Sequence, residues 1–271
     1  MSELLAFSGD TGAGKTRSIF SIIEAVLRDT DKKVHYIALD RGHQRFLKRP
    51  TIAPHLGTRL FIYNVRDFIA LRDTYRAVKQ VLEFGDWLVI ERVDLAWDWV
   101  QDYVGASVNQ MDEDNLDQMF LEKRIKQKIE KGREALKTVT QNDYNPLDWS
   151  LIRSNYNGIV KDAYDGDNST VKDINVIMTF WALPSGDQYD TGGDDDPRDL
   201  SKEYGMVIKG EKKTIGYAET HLLFRQFRGN YVFDTIKDRE RGKGVKQVVA
   251  EDASFLDVYQ GIVQEDIINA T

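Results

Sequence analysis

Gly9-Asp10-Thr11-Gly12-Ala13-Gly14-Lys15-Thr16 fits G-x-x-x-x-G-K-[ST], the pattern of a phosphate-cradling P-loop. Its flanks decide whether the pattern means anything. Before it, Leu4-Leu5-Ala6-Phe7-Ser8 is a short apolar run of the kind that forms a buried strand. After it, Thr16 to Arg28 sets Ile19, Phe20, Ile22, Ile23, Val26 and Leu27 at helical spacing. Strand, glycine loop and helix thus follow in the order an anion cradle needs. The glycines let successive N–H groups turn toward one anion, and the helix N-terminus adds its positive dipole end. In this motif Lys15 reaches the β- and γ-phosphates and the Thr16 hydroxyl binds Mg²⁺. Gly9, Asp10, Thr11, Gly12, Ala13, Gly14, Lys15, Thr16 and Arg17 are therefore the expected nucleotide contacts, with ATP and Mg²⁺ as cofactors.

Composition sets outer limits. The 271 residues suit one large α/β domain or one domain with an insertion, and 41% hydrophobic residues can fill its core. There is no cysteine, which excludes disulfides, thiolate metal sites and cysteine catalysis. Four scattered histidines give no zinc pattern. No run approaches the roughly 18 apolar residues of a membrane span, and no signal peptide precedes the P-loop, so a cytoplasmic protein without a membrane partner is expected. A net charge of −7 argues against a uniformly basic nucleic-acid binder while leaving room for a local basic channel.

Further along, Lys33 to Leu39 forms a second strand that ends at Asp40, which should face the ligand crevice at the carboxyl end of the sheet. Arg41 to Pro54 is polar and basic. A third strand is expected at Arg59 to Tyr63, and Asp67 is placed to cap a helix carrying Phe68, Leu71, Tyr75, Val78 and Leu82 on one face. Asp86-Trp87-Leu88-Val89-Ile90-Glu91 has four apolar residues before a carboxylate, the Walker B pattern of an acid that holds Mg²⁺. The plainer reading is a strand that ends in a surface acid. Many such sites carry a second acid next, but here that position is Arg92, so the water-activating group is Asp40 or Asp94. From Asp98 to Thr170 the chain is expected to leave the compact core, with a charged helix over Asn115 to Thr138 and an inward-facing one with Trp149, Ile152, Tyr156 and Ile159. Asp173 to Trp181 returns to the sheet, placing Thr179 either near the γ-phosphate or simply in the core. Gln188 to Asp199 is expected to be a mobile acidic loop. His221 to Phe227 and Tyr231 to Ile236 form a hairpin expected at the sheet edge. Lys237-x-Arg239 follows it, two cations able to act across a subunit interface as arginine fingers do.

Together, the P-loop, the Walker-B-like strand, the Thr179 strand and the hairpin with Lys237-x-Arg239 resemble a RecA-core (ASCE) P-loop ATPase. They are most similar to phage-encoded AAA/RecA-like ATPases of single-strand annealing and recombination. The resemblance implies a RecA-like α/β fold in a single domain, with a mostly parallel sheet flanked by helices and a C-terminal β-hairpin. It leaves residues 101–170 unmatched, and these are expected to form a mainly helical insertion. It also implies a Mg²⁺-dependent, homo-oligomeric ATPase acting on nucleic acid in recombination, repair or replication. Lys237 and Arg239 would act in trans, single-stranded DNA would be a partner, and host cytoplasm would be the location. In this family an acid on the strand after the P-loop helix prepares the water, which favours Asp40; with Lys15, Glu91, Lys237 and Arg239 it makes up the expected catalytic set. A phage assembly or packaging motor and a small-molecule kinase are the alternatives.

Overall fold

Leu5, Ala6 and Phe7 are all buried in β1 (Leu4–Gly9), as strand residues must be when helices cover both faces of a parallel sheet. The computed structural model of the chain describes residues 3–109, 146–164, 173–185, 196–227, 230–238 and 247–249. The strands that follow are β2 (Val34–Ala38), β3 (Leu60–Asn64), β4 (Trp87–Glu91), β5 (Asn175–Pro184), β6 (Asp199–Leu200), β7 (Met206–Ile208), β8 (Thr220–Phe227), β9 (Asn230–Asp238) and β10 (Gln247–Val249). Their order across the sheet is β10-β9-β8-β1-β5-β4-β2-β3, with β6 and β7 branching from β5. Every pairing from β8 through β1, β5, β4 and β2 to β3 is parallel. This is the α/β architecture expected from the sequence, with β5 inserted between the P-loop strand and the Walker-B-like strand.

Alternation along each strand divides the core in two. Ala6, Ile37, Leu88, Ile90, Val176 and Met178 face one layer of helices: α2 (Phe68–Val81), α3 (Val93–Asn109), α4 (Pro146–Asn157) and α5 (Val160–Tyr164). Leu5, Phe7, Tyr36, Val89 and Ile177 face the other, built on α1 (Lys15–Asp29) through Ile19, Phe20, Ile22, Ile23 and Val26. Asp67 caps α2 as expected, its carboxylate accepting from Ala70 N at 2.7 Å.

Three differences from the sequence reading are informative. The packed core does not stop at Asp98: α3 continues to Asn109 and buries Val100, Val104 and Ala106 against α2 and α4. Ile152, Tyr156 and Ile159 extend the same core, as their inward spacing led one to expect; residues 110–145, with the charged helix, lie outside the described residues. The hairpin is not the sheet edge, because β8 pairs with β1 and β10 pairs with β9. Within the expected acidic loop, Asp196 is buried and paired with Arg198 at 2.7 Å, whereas residues 186–195 lie outside the described residues.

Candidate nucleotide site

The P-loop leaves β1 through Gly9, whose backbone φ is +150°. A Cβ there would lie 2.2 Å from the carbonyl oxygen of Phe224, so only glycine lets β8 pack this close. Gly14, at φ +99°, starts α1 in the left-handed region that glycine adopts without strain. No side chain caps α1 and no acid stands in its first turn, which leaves its N–H groups and dipole for an anion. Lys15 curls into the loop and donates to the carbonyls of Gly9 at 2.7 Å and Asp10 at 2.9 Å. Burial pulls its ammonium down to about 8, against the opposing pull of Asp94.

Glu91 ends β4 almost fully buried and takes two hydrogen bonds, from Thr16 Oγ1 and from Tyr36 Oη, each at 2.5 Å. Burial raises its carboxyl above the ordinary range, while those two donors work in the other direction. Glu91 is therefore not a surface acid, and the plainer sequence reading fails. Asp40 sits one strand away, its Oδ1 accepting from Gly42 N at 2.8 Å. A Cβ on Gly42 would come within 3.2 Å of Asp40, 3.6 Å of Thr16 Oγ1 and 3.7 Å of Glu91 Oε1. The missing Cβ leaves room beside three oxygen donors, and that donor chemistry suits a hard divalent cation such as Mg²⁺.

Arg92 occupies the position where a second acid is common, and its backbone is left-handed at φ +69°, rare for a side chain of this size. Three contacts hold it there. Its N–H donates to Thr179 Oγ1 at 2.8 Å, its guanidinium grips Asp94 at 2.8 Å, and the guanidinium also lies 5.3 Å from the Trp181 ring centre. Asp94, buried in the first turn of α3, also accepts from Trp181 N at 3.1 Å. Asp40 is 3.6 Å from the same guanidinium and keeps about a third of its side chain exposed, whereas the Asp94 side chain has none. The two candidate acids thus share one cation but differ in access. Thr179 is wholly buried and accepts the Arg92 N–H, one strand from the P-loop.

The hairpin lies beside the site by its turn end: a Cβ on Gly14 would touch the Tyr231 ring at 3.4 Å. Lys237 is at the other end. It pairs with His221, which is level with Ala6, three residues before Gly9, or about 10 Å down the strand. There it donates to the Gly216 carbonyl at 3.0 Å and to that of Ala218. Arg239 lies outside the described residues. Lys15, Thr16, Glu91 and Asp40 are therefore brought together, and Lys237 is not.

Sequence reasoning missed Tyr36, Trp181 and His43. Tyr36 and Trp181 look like core residues in a strand, and nothing in their spacing signals a role. His43 lies in a segment classed only as polar and basic, yet it is wholly buried between Asp40 and Glu91. No protein-family model matches the sequence, and no curated protein does either. Among solved structures, the crystal structure of the RadB recombinase is similar over 91% of this chain and 87% of that one, at 14% identity and a TM-score of 0.44. The fold itself rests on the strand order and the P-loop geometry.

Proposed function

We propose that this chain binds and hydrolyses ATP with Mg²⁺ as an oligomeric RecA-like P-loop ATPase, built as a single domain with an insertion near 101–170. One observation carries the reading: Thr16, the last residue of the P-loop motif, is hydrogen-bonded at 2.5 Å to Glu91, which ends the Walker-B-like strand. Two pieces of sequence 75 residues apart meet at one hydrogen bond, which a chance glycine turn does not explain. Thr16 and Glu91 would hold Mg²⁺, whose charge offsets that of the phosphates. Lys15 would hold the β- and γ-oxygens as a point charge, and the α1 amides would bind the same oxygens. Asp40, the more accessible acid, would orient the water, while Arg92 holds Asp94 out of that role. Lys237 lies too far from its own P-loop to reach that nucleotide, which supports action of Lys237 and Arg239 on a neighbouring subunit.

Nucleic acid as the substrate, in recombination, repair or replication, and a phage origin follow from the sequence resemblance. No helix among the described residues is long and apolar enough to cross a membrane. ATP hydrolysis measured across a range of protein concentrations, with and without single-stranded DNA, tests the whole reading. Specific activity should rise with concentration and again with DNA. Hydrolysis that needs neither would leave a monomeric P-loop enzyme. Stimulation by concentration alone would favour a motor acting on another substrate.

A further inference from the structure

Neither ring nitrogen of the wholly buried His43 meets a hydrogen-bonding partner in good geometry, although the Asp40 backbone carbonyl acts on the ring as an acceptor. Buried polar groups are almost always satisfied, so a histidine left this incompletely paired calls for an explanation. One lies beside it. A nitrogen of His43 and one carboxylate oxygen each from Asp40 and Glu91 lie within 4.8 Å of one another. Their placement has a clear local origin. Asp40 and Glu91 follow or end adjacent parallel strands, and the short 3-10 turn Gly42–Arg45 folds His43 back over them. The His43 ring packs 5.6 Å from that of Tyr36, whose hydroxyl donates to Glu91. Packing therefore fixes the imidazole, with one nitrogen within 4.8 Å of an oxygen from each of two acids.

We propose that Asp40, His43 and Glu91, with Thr16 beside them, form a mixed nitrogen–oxygen site for a first-row transition divalent ion, with His43 as a direct ligand. An all-oxygen set suits Mg²⁺, whereas an imidazole among carboxylates shifts preference toward Mn²⁺ and the later ions. This is the position that Thr16 and Glu91 would offer Mg²⁺ when that ion is in large excess; the proposal deepens the reading by naming the ion the site prefers, and rests on it only in placing the ion beside the triphosphate. His43 also explains why Gly42 precedes it: a side chain there would enter the space between Asp40, Thr16 and Glu91.

The test uses the full chain without nucleotide, in a nitrogen-free buffer, titrated with Mn²⁺ alone and followed by electron paramagnetic resonance. One equivalent should bind, and electron spin-echo modulation should show a directly coordinated ¹⁴N. Mg²⁺ should displace it only in large excess. In His43→Gln the nitrogen modulation should vanish and Mn²⁺ affinity should fall at least about tenfold, the scale of losses around metal sites. Bound Mn²⁺ without nitrogen modulation in the wild-type chain would overturn the proposal, as would no bound Mn²⁺ at all; neither result depends on the variant folding. Unchanged Mn²⁺ affinity in a folded His43→Gln would overturn it too. ATP binding measured in excess Mg²⁺ with no Mn²⁺ present separates the two readings. ATP bound without a nitrogen-coordinated Mn²⁺ would sink the metal site alone, and the converse would sink the nucleotide reading alone.

Discussion

Raising the pH from 7 to 9 should weaken ATP binding about tenfold, through Lys15. Its ammonium is lowered to about 8 from an ordinary 10.5, chiefly by burial. A group with that value is about nine-tenths protonated at pH 7, half at pH 8 and about one-tenth at pH 9. Only the charged form offers the phosphates a cation, so affinity should follow the protonated fraction. Bound triphosphate favours the ammonium, so binding at pH 9 should take up nearly one proton. Calorimetry in two buffers of different ionisation heat reads both effects. Lys15→Arg, which stays charged throughout, should flatten the profile. The same shift acts on folding with a definite sign. The folded value lies below the unfolded one, so the unfolded chain holds this proton more tightly. The resulting penalty, about 3 kcal/mol at about 1.4 kcal/mol per unit, is fully present below pH 8 and is relieved as pH rises from 8 to 10.5. Lys15→Met should therefore raise the melting temperature of the nucleotide-free chain at pH 7. Affinity that stays flat from pH 7 to 9 in the wild-type chain, with no proton uptake, would refute the reasoning.

Other outcomes follow from the same geometry. At saturating divalent ion, Asp40→Asn should still bind ATP but turn it over roughly 10²–10⁴-fold more slowly, the loss typical of a missing general base; normal single-turnover rates would shift the role to Asp94. Gly9→Ala should lose at least about 2 kcal/mol from strain and the contact with the Phe224 carbonyl, and denaturation at wild-type urea concentrations would show that β8 does not pack as described. Arg239→Ala should bind ATP yet hydrolyse it poorly, and mixing it with Lys15→Ala should restore activity because each protein supplies the half-site the other lacks. Absence of rescue in that mixture would remove the action across subunits.

Much of this site was legible because its signals are local. Gly9 to Thr16 is continuous, and each residue in it does its work through its own backbone or a single side chain. Glu91 could be proposed because an apolar run of four before an acid marks a strand end, and the burial of that acid then decided between a site residue and a surface acid. The α2 cap at Asp67 was legible for the same reason, since a cap bonds within three residues of itself. By contrast, the burial of Val100 and Val104 in α3 depends on α2 and α4, whose positions no spacing in that segment reveals.

The sequence by itself determined the class of fold, the glycine loop between β1 and α1, and the strand whose end faces that loop's threonine. These follow from periodicity and from backbone chemistry confined to a few neighbouring residues. Tertiary structure alone decided the rest. It set Asp40 and Asp94 apart, because Arg92 grips Asp94 more closely and solvent reaches only Asp40. It turned Lys237 away from its own P-loop, because an antiparallel return after a parallel strand carries the chain back down the sheet. It also set His43 against two carboxylates from different strands. Such a cluster joins the neighbours Asp40 and His43 to Glu91, far along the chain, where packing rather than spacing fixes what meets.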